Sequence, residues 1–361
     1  ISSPAHLCKF NGIDPAAYAL TKAVTPTVHA DQRLIEHATS GVIQMLCVNM
    51  KKRDRQLLSF EECISGVTAD GVYAPLNRAA SAGYGWPKIG TGKTHWLGTD
   101  EYIYDHPDFV ARFEDIENRV RSGNRAEMVW LDTLKDELRS LEKVKAVKTR
   151  LFSAGEQCFT AVLRKYFMGF CAHVMRNPIT FESCVGLNPL GMDWTHLATR
   201  LRSKGKKVVA GDFTNYDGTL NTQILWAVLD VIEAFYEGSD EEKLARRTLW
   251  MDIVQSVHNF RGSLLEWTHS QPSGCAFTTI LNSVYHSIAM RYVYLLIASV
   301  KSPEHATLAA YNQHVAHVNY GDDDVTNFSD VVAPWFNQQT MSIAYCDLGM
   351  VYTDETKQQT D

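Results

Sequence analysis

Residues 314–328 read HVAHVNYGDDDVTNF. Two short runs that mix valine with polar residues flank Tyr320-Gly321-Asp322-Asp323, which predicts a strand, a tight acidic turn and a second strand. Asp322, Asp323 and Asp324 stand in succession, and adjacent carboxylates raise one another's pKa unless a cation neutralises them. A glycine-led turn puts such groups on the exposed lip of a sheet, where hard cations can enter. Taken alone, the run reads first as a solvated acidic turn.

GDFTNYDG (211–218) changes that reading. The apolar stretch before it predicts a short buried strand ending in Asp212, with Asp217 five residues on at the start of a helix. Two strands that each deliver an aspartate can lie side by side. Asp212 and Asp322 would then converge on two Mg²⁺ ions roughly 3.5–4 Å apart, as in-line phosphoryl transfer requires. Oxygen donors without His or Cys suit Mg²⁺ or Mn²⁺, not zinc. The pair points to nucleotidyl transfer.

The chain has 361 residues, 45% hydrophobic and 21% charged, enough for a large core or two to three lobes. Its formal net charge of -6 excludes a global basic field, so a polyanion would have to be met by local clusters. Three exist: Lys51 to Arg55, Lys135 to Arg150, and Arg200 to Lys207. Eight cysteines without a C-x-x-C pair read as reduced thiols, and His314 and His317 lack further ligands at metal-site spacing. The apolar run Ile280 to Val300 contains Asn282, His286 and Arg291, which predicts a buried helix instead of a membrane span. GTGKT (90–94) is not a P-loop, because Pro87 stands where the motif needs glycine and no apolar strand precedes it.

QCFTAVLRKYFMGFCAHVM (157–175), LNTQILWAVLDVIEAFY (220–236) and Thr278 to Ser299 carry helical periodicity. NQQTMSIAYCDLGM (337–350) reads as a helix leading into a further strand. Strands and helices do not alternate regularly enough for a doubly wound sheet. The expected class is α+β, an antiparallel sheet backed by helices.

At this point the motifs carry a resemblance. DFTNYD (212–217) resembles motif A of viral RNA-dependent RNA polymerases, PSGCAFTTILN (272–282) motif B, and YGDD (320–323) motif C. KDELRSLEKVKAVKTRLF (135–152) is similar to motif F, SAGY (81–84) to motif G, and LGMVYTDETK (348–357) to motif D. All stand in the family's order, and the pattern is most similar to the picornavirus-like group of positive-strand RNA viruses. The resemblance implies a right-hand polymerase: fingers at 1–167, palm at 168–251, a fingers insertion at 252–270 and palm again at 271–361. Only four residues follow Lys357, so the helical thumb is expected to be absent. The start at Ile1, without an initiator methionine, reads as a trimmed end.

The resemblance also implies roles. Asp212, Asp322, Asp323 and the backbone carbonyl of Phe213 would hold two Mg²⁺, with Mn²⁺ as a substitute. Lys135, Arg139 and Arg150 would contact the phosphates of an incoming nucleotide, since cationic side chains neutralise a triphosphate and its leaving group. Lys143 and Lys148 would support them or face RNA, while Asp136 and Glu137 offer these bases internal partners. Asp217, Ser273 and Asn282 would read ribose hydroxyls with Thr278 as a brace. Lys357 would protonate the departing pyrophosphate, although Thr353-Asp354-Glu355-Thr356 replaces the proline and aspartate common before it. Ser81, Ala82, Gly83 and Tyr84 would guide template RNA. The implied partners are template and product RNA, ribonucleoside triphosphates and a genome-linked protein primer, at membrane-associated replication complexes in host cytoplasm. The rival readings are a reverse transcriptase, which would set a bulky aromatic against the ribose 2′ position, a silent RNA- or protein-binding module, and a metal-dependent nuclease.

Overall fold

The structure, a computed structural model, describes residues 2–354. The chain runs β1 (Ser2–Pro4), α1 (Gln32–Leu46), α2 (Pro107–Arg121), β2 (Trp130–Leu134), β3 (Leu138–Ser140), β4 (Leu151–Ala154) and α3 (Gln157–Arg176). It continues through β5 (Lys207–Thr214), α4 (Thr222–Phe235), α5 (Asp240–Val254), β6 (Ser256–Phe260), β7 (Ser263–Trp267) and α6 (Thr278–Lys301). Then come β8 (Val315–Tyr320), β9 (Asp323–Phe328), α7 (Gln338–Tyr345) and β10 (Val351–Asp354), with short helical turns between.

The strands that carry the aspartates form one antiparallel sheet in the order β10-β5-β9-β8. Tyr320 pairs with Asp323 across a two-residue turn, and Gly211 pairs with Asp324, which sets Asp212 beside that turn. β10 covers the far side of β5, with Tyr352 opposite Phe213. α6 packs on β8 and α7 on β10, and α1 packs on α4 and α6. α6 is almost wholly buried, and its buried cation, Arg291, forms a two-pronged ion pair with buried Glu182 at 2.8 and 3.0 Å. This is how a charged residue sits inside a helix that otherwise reads as apolar.

A second, mixed sheet has the order β4-β2-β6-β7, in which β2 and β6 run parallel and the other pairs antiparallel. It joins residues 130–154 to a hairpin about a hundred residues later.

One expectation needs correction. β5 does not end at Asp212; it continues through Phe213 and Thr214, and its first half is exposed at Lys207 and Val208. β9 and β10 hydrogen-bond it on both sides, so pairing, not burial, sustains it. The divisions drawn after residues 167 and 251 fall inside α3 and α5, continuous helices whose buried faces extend past both points. The basic run at 51–55 is largely structural. Arg53 pairs with Glu62 at 2.6 Å, Arg55 with Glu237, and buried Asp54 with Arg176.

Candidate active site

The turn between β8 and β9 is held from beneath by α6. Gly321 takes φ +70°, the left-handed value that a type II′ hairpin needs at its first central residue. Its N–H donates to Ser283 Oγ at 3.0 Å, and its carbonyl accepts from His286 Nδ1 at 3.1 Å. Burial pushes the His286 imidazole down to about 4, so the ring is a neutral donor at physiological pH. Sequence reasoning missed this clamp. Its only signal was the cluster Asn282, Ser283 and His286 in an otherwise apolar helix.

Beside the turn lies a cavity of about 360 Å³. Asp322 and Asp323 form one wall, Asp217, Ser273, Thr278 and Asn282 a second, and Lys135 and Arg150 a third. The Asp322 carboxyl is raised above the usual carboxylate range, first by burial and then by Asp323, Asp217 and Asp212. Asp212 does not line the cavity but is close enough for its charge to act on Asp322. Its backbone carbonyl accepts from Thr353 Oγ1 at 3.3 Å. Among the described residues no three His, Cys, Asp or Glu side chains are gathered as a ready metal cage. The donor set nevertheless fits a hard cation, because its carboxylates are all-oxygen and repel one another without one.

The second wall is assembled from two distant segments. Asn215 adopts φ +56° and turns the chain out of β5 into the short helix Tyr216–Thr219. From there Asp217 Oδ1 accepts from Asn282 Nδ2 at 3.2 Å, while the Tyr216 hydroxyl donates to the Asn282 carbonyl at 3.0 Å. With its amide nitrogen so engaged, Asn282 Oδ1 is buried without a hydrogen-bond partner. A buried carbonyl oxygen in that state favours a ligand hydroxyl that can donate to it. Ser273 Oγ accepts from the Ser153 N–H at 3.3 Å, which ties the loop before α6 to β4. Thr278 Oγ1 donates back into the same loop, at 2.9 Å from the Cys275 carbonyl.

On the cationic wall Glu137 occupies the centre. Arg150 grips it with two nitrogens, Nε at 2.7 Å, and Lys135 Nζ stands 3.6 Å away. The bond from Arg150 holds the Glu137 carboxyl below the usual carboxylate range. Arg139 stands by the same carboxylate, its Nε 3.9 Å from Glu137. Its guanidinium donates to the Lys148 carbonyl at 2.6 Å and does not line the cavity.

Other expected residues lie apart. Lys143 is on the short helix Leu141–Lys145, and Lys148 Nζ sits 5.9 Å above the Tyr18 ring. Ser81 Oγ accepts from the Gly83 N–H at 3.1 Å, and the Ala82 carbonyl accepts from the Gln157 N–H at 2.9 Å. Tyr84 lines a separate cavity with Trp86 and Arg112. The Phe213 ring is packed between Tyr216, His286, Tyr345 and Tyr352, and this residue does not line the cavity beside the turn. Lys357 falls outside the described residues. Lys93 of GTGKT is buried and donates to the Asn77 and Ala80 carbonyls, each at 3.1 Å, which is a bracing role.

Asp324, read at first with its neighbours as part of a solvated acidic turn, is buried. It is 4% exposed, and burial pushes its carboxyl up to about 7 against hydrogen bonds from Tyr352 and Thr326.

Comparisons with known proteins agree with this geometry. The fold is similar to the Sicinivirus 3Dpol RNA-dependent RNA polymerase, with a TM-score of 0.82 at 20% identity over 100% of this chain and 71% of that one. In sequence the chain is 38% identical over 347 residues to the replicase polyprotein of Acute bee paralysis virus, covering 94% of the chain and 18% of the polyprotein. To that of Cricket paralysis virus it is 36% identical, over 99% of the chain and 22% of the polyprotein. The chain thus spans about a fifth of the length of these polyproteins. The sequence profile of the viral RNA-dependent RNA polymerase family matches residues 11–361. With that match over nearly its whole length, the chain belongs to the viral RNA-dependent RNA polymerase family.

Proposed function

We propose that the chain catalyses template-directed RNA synthesis, adding ribonucleoside triphosphates to the 3′-hydroxyl of a primer during replication of a positive-strand RNA virus genome. The observation that carries this reading is the shared cavity. Two hairpin carboxylates, two cationic side chains and Asn282 line one space, and Asn282 Oδ1 has no hydrogen-bond partner among the described residues. A reactive phosphate, its leaving group and a ribose need these three kinds of group within one nucleotide's reach.

Asp212, Asp322 and Asp323 would hold Mg²⁺, two ions in the full reading, which supplies charge neutralisation for an in-line displacement. Lys135 and Arg150 orient and neutralise the triphosphate. Asn282 Oδ1 accepts from the ribose 2′-hydroxyl, and Asp217 fixes the rotamer from which it does so. The small residues around Ser273 let a base pair approach the backbone. Through family membership alone the proposal extends to a genome-linked protein primer, and to replication complexes at host cytoplasmic membranes.

The test is Mg²⁺-dependent extension of an annealed RNA primer, comparing ribo- with deoxyribonucleotides. Extension only with deoxyribonucleotides, or none under any metal, would sink the reading. Asn282→Ala is expected to lower ribose selectivity by about 10- to 100-fold, mainly through lost ribonucleotide use, since the hydrogen bond to the 2′-hydroxyl disappears. Unchanged selectivity would remove Asn282 from that role. Glu137→Gln is expected to tighten binding of inorganic triphosphate by roughly 2- to 5-fold, because the cations lose an internal competitor whose exposed pairing is worth little. Calorimetric titration checks this, and weaker binding would show that Glu137 positions Arg150 more than it competes for it.

A further inference from the structure

Asp324 and Tyr352 meet although an entire strand separates them. Tyr352 lies on β10 and Asp324 on β9, with β5 between. The Tyr352 hydroxyl donates to the Asp324 carboxylate, 3.1 Å from one oxygen and 3.3 Å from the other. The ring crosses β5 directly over Gly211, where a Cβ would lie 2.0 Å from it. Glycine at 211 is therefore needed for the crossing itself.

On its other flank Asp324 ends a chain of buried hydrogen bonds. The Asn319 amide nitrogen, 3.2 Å from both the Ser283 carbonyl and Ser287 Oγ on α6, donates to His317 Nε2 at 3.1 Å. That assigns the proton to His317 Nδ1, which donates to Thr326 Oγ1 at 3.0 Å. Thr326 in turn donates to Asp324 Oδ2 at 3.2 Å. The directions are consistent from end to end, and Asp324 accepts from both sides.

We propose that Asp324 and Tyr352 are positioning residues: a buried strap over Gly211 that fixes the Asp322–Asp323 turn against the Asp212 strand and couples β10 to that turn. Asp324 directly follows the two turn carboxylates, so its anchorage sets where they stand. Gly211 directly precedes Asp212, so the strap crosses next to the third carboxylate. A buried network of this kind holds one arrangement, and removing one donor leaves a carboxylate short of a partner. The catalytic part of this inference rests on the polymerase reading; the structural part does not.

The experiment compares the chain with its Tyr352→Phe variant, which keeps the ring over Gly211 and removes only the hydroxyl. Amide hydrogen exchange without metal is expected to quicken about tenfold across residues 321–325, the loss of one buried hydrogen bond, while α1 exchanges as before. Primer extension should show kcat down about 5- to 20-fold and the half-saturating Mg²⁺ concentration raised, with KM for nucleotide little changed. Tyr352→Phe and Asp324→Ala together should cost clearly less than the sum of the two, because both remove the Tyr352–Asp324 contact. Unchanged exchange at 321–325, quickening spread equally over α1, or additive effects in the double variant would each overturn the strap. Should the chain extend no primer at all, the polymerase reading fails, and the exchange result still decides the strap.

Discussion

Asp322→Ala is expected to abolish primer extension, with a loss of at least about 10³-fold, since metal-assisted phosphoryl transfer has no substitute for a charge-neutralising ligand. The same substitution should leave the melting temperature unchanged or higher. Asp322 stands on the exposed turn with Asp323, Asp217 and Asp212 nearby, and desolvation and their charges raise its pKa, which records that the folded chain disfavours its charge. Removing such a group relieves repulsion in the metal-free fold, so function and stability should move in opposite directions. A purely structural acidic turn would show no such division. Activity within tenfold of the parent chain would remove Asp322 from the chemistry, and a large fall in melting temperature would make the turn a structural element first. Asp212→Ala is expected to parallel it in activity, because its charge acts on the same carboxylate.

Arg291→Met should be the most destabilising single change away from the cavity, at about 3–5 kcal/mol, because it leaves Glu182 buried and unpaired. Glu182 is 2% exposed, and its nearest remaining cation, Arg200, stands 3.7 Å away. Burial pushes the Glu182 carboxyl up, but Arg291 leads the charges that outweigh it and hold it at about 2. The folded pKa therefore lies below that of the unfolded chain. The pair's contribution is present above about pH 4.5 and is lost as the pH falls toward 2. Urea unfolding followed between pH 2 and 7 should show that loss, and Glu182→Gln should flatten it. The double change Arg291→Met with Glu182→Leu is expected to recover most of the stability, since no charge is left stranded. If Arg291→Met costs less than about 1 kcal/mol, the pair is not the anchor described here.

The site would register that loss as well. The Glu182 carbonyl accepts from the Asn319 N–H at 2.7 Å, and the Asn319 carbonyl accepts from the Cys184 N–H at 2.7 Å. The ion pair thus steadies the segment that closes the outer edge of β8, one residue before the Tyr320 turn.

Much of this protein was legible in residue order alone. The hairpin around Gly321, β5 through Asp212, and α3, α4 and α6 follow from alternation, turn chemistry and helical period, which act over a few residues. The reading of paired carboxylates, cationic hairpin and polar helix start came from spacing and residue type, and the family match extends over the same segments. Residue order could not say where each charge ends up, because that depends on which strand lies next to which. Asp324 read as a solvated excess carboxylate, and the order β10-β5-β9 buried it under Tyr352. Arg139 read as a cation of the basic hairpin, and the closure of its loop set it between Glu137 and the Lys148 carbonyl. His286 read only as a sign that its helix is buried, and the packing of α6 under the turn made it and Ser283 the turn's clamp. Local pattern determines which elements form and which carry chemistry. Burial and hydrogen-bond satisfaction are set between segments a hundred residues apart, so only the tertiary structure decided which carboxylates face the cavity and which hold it in place.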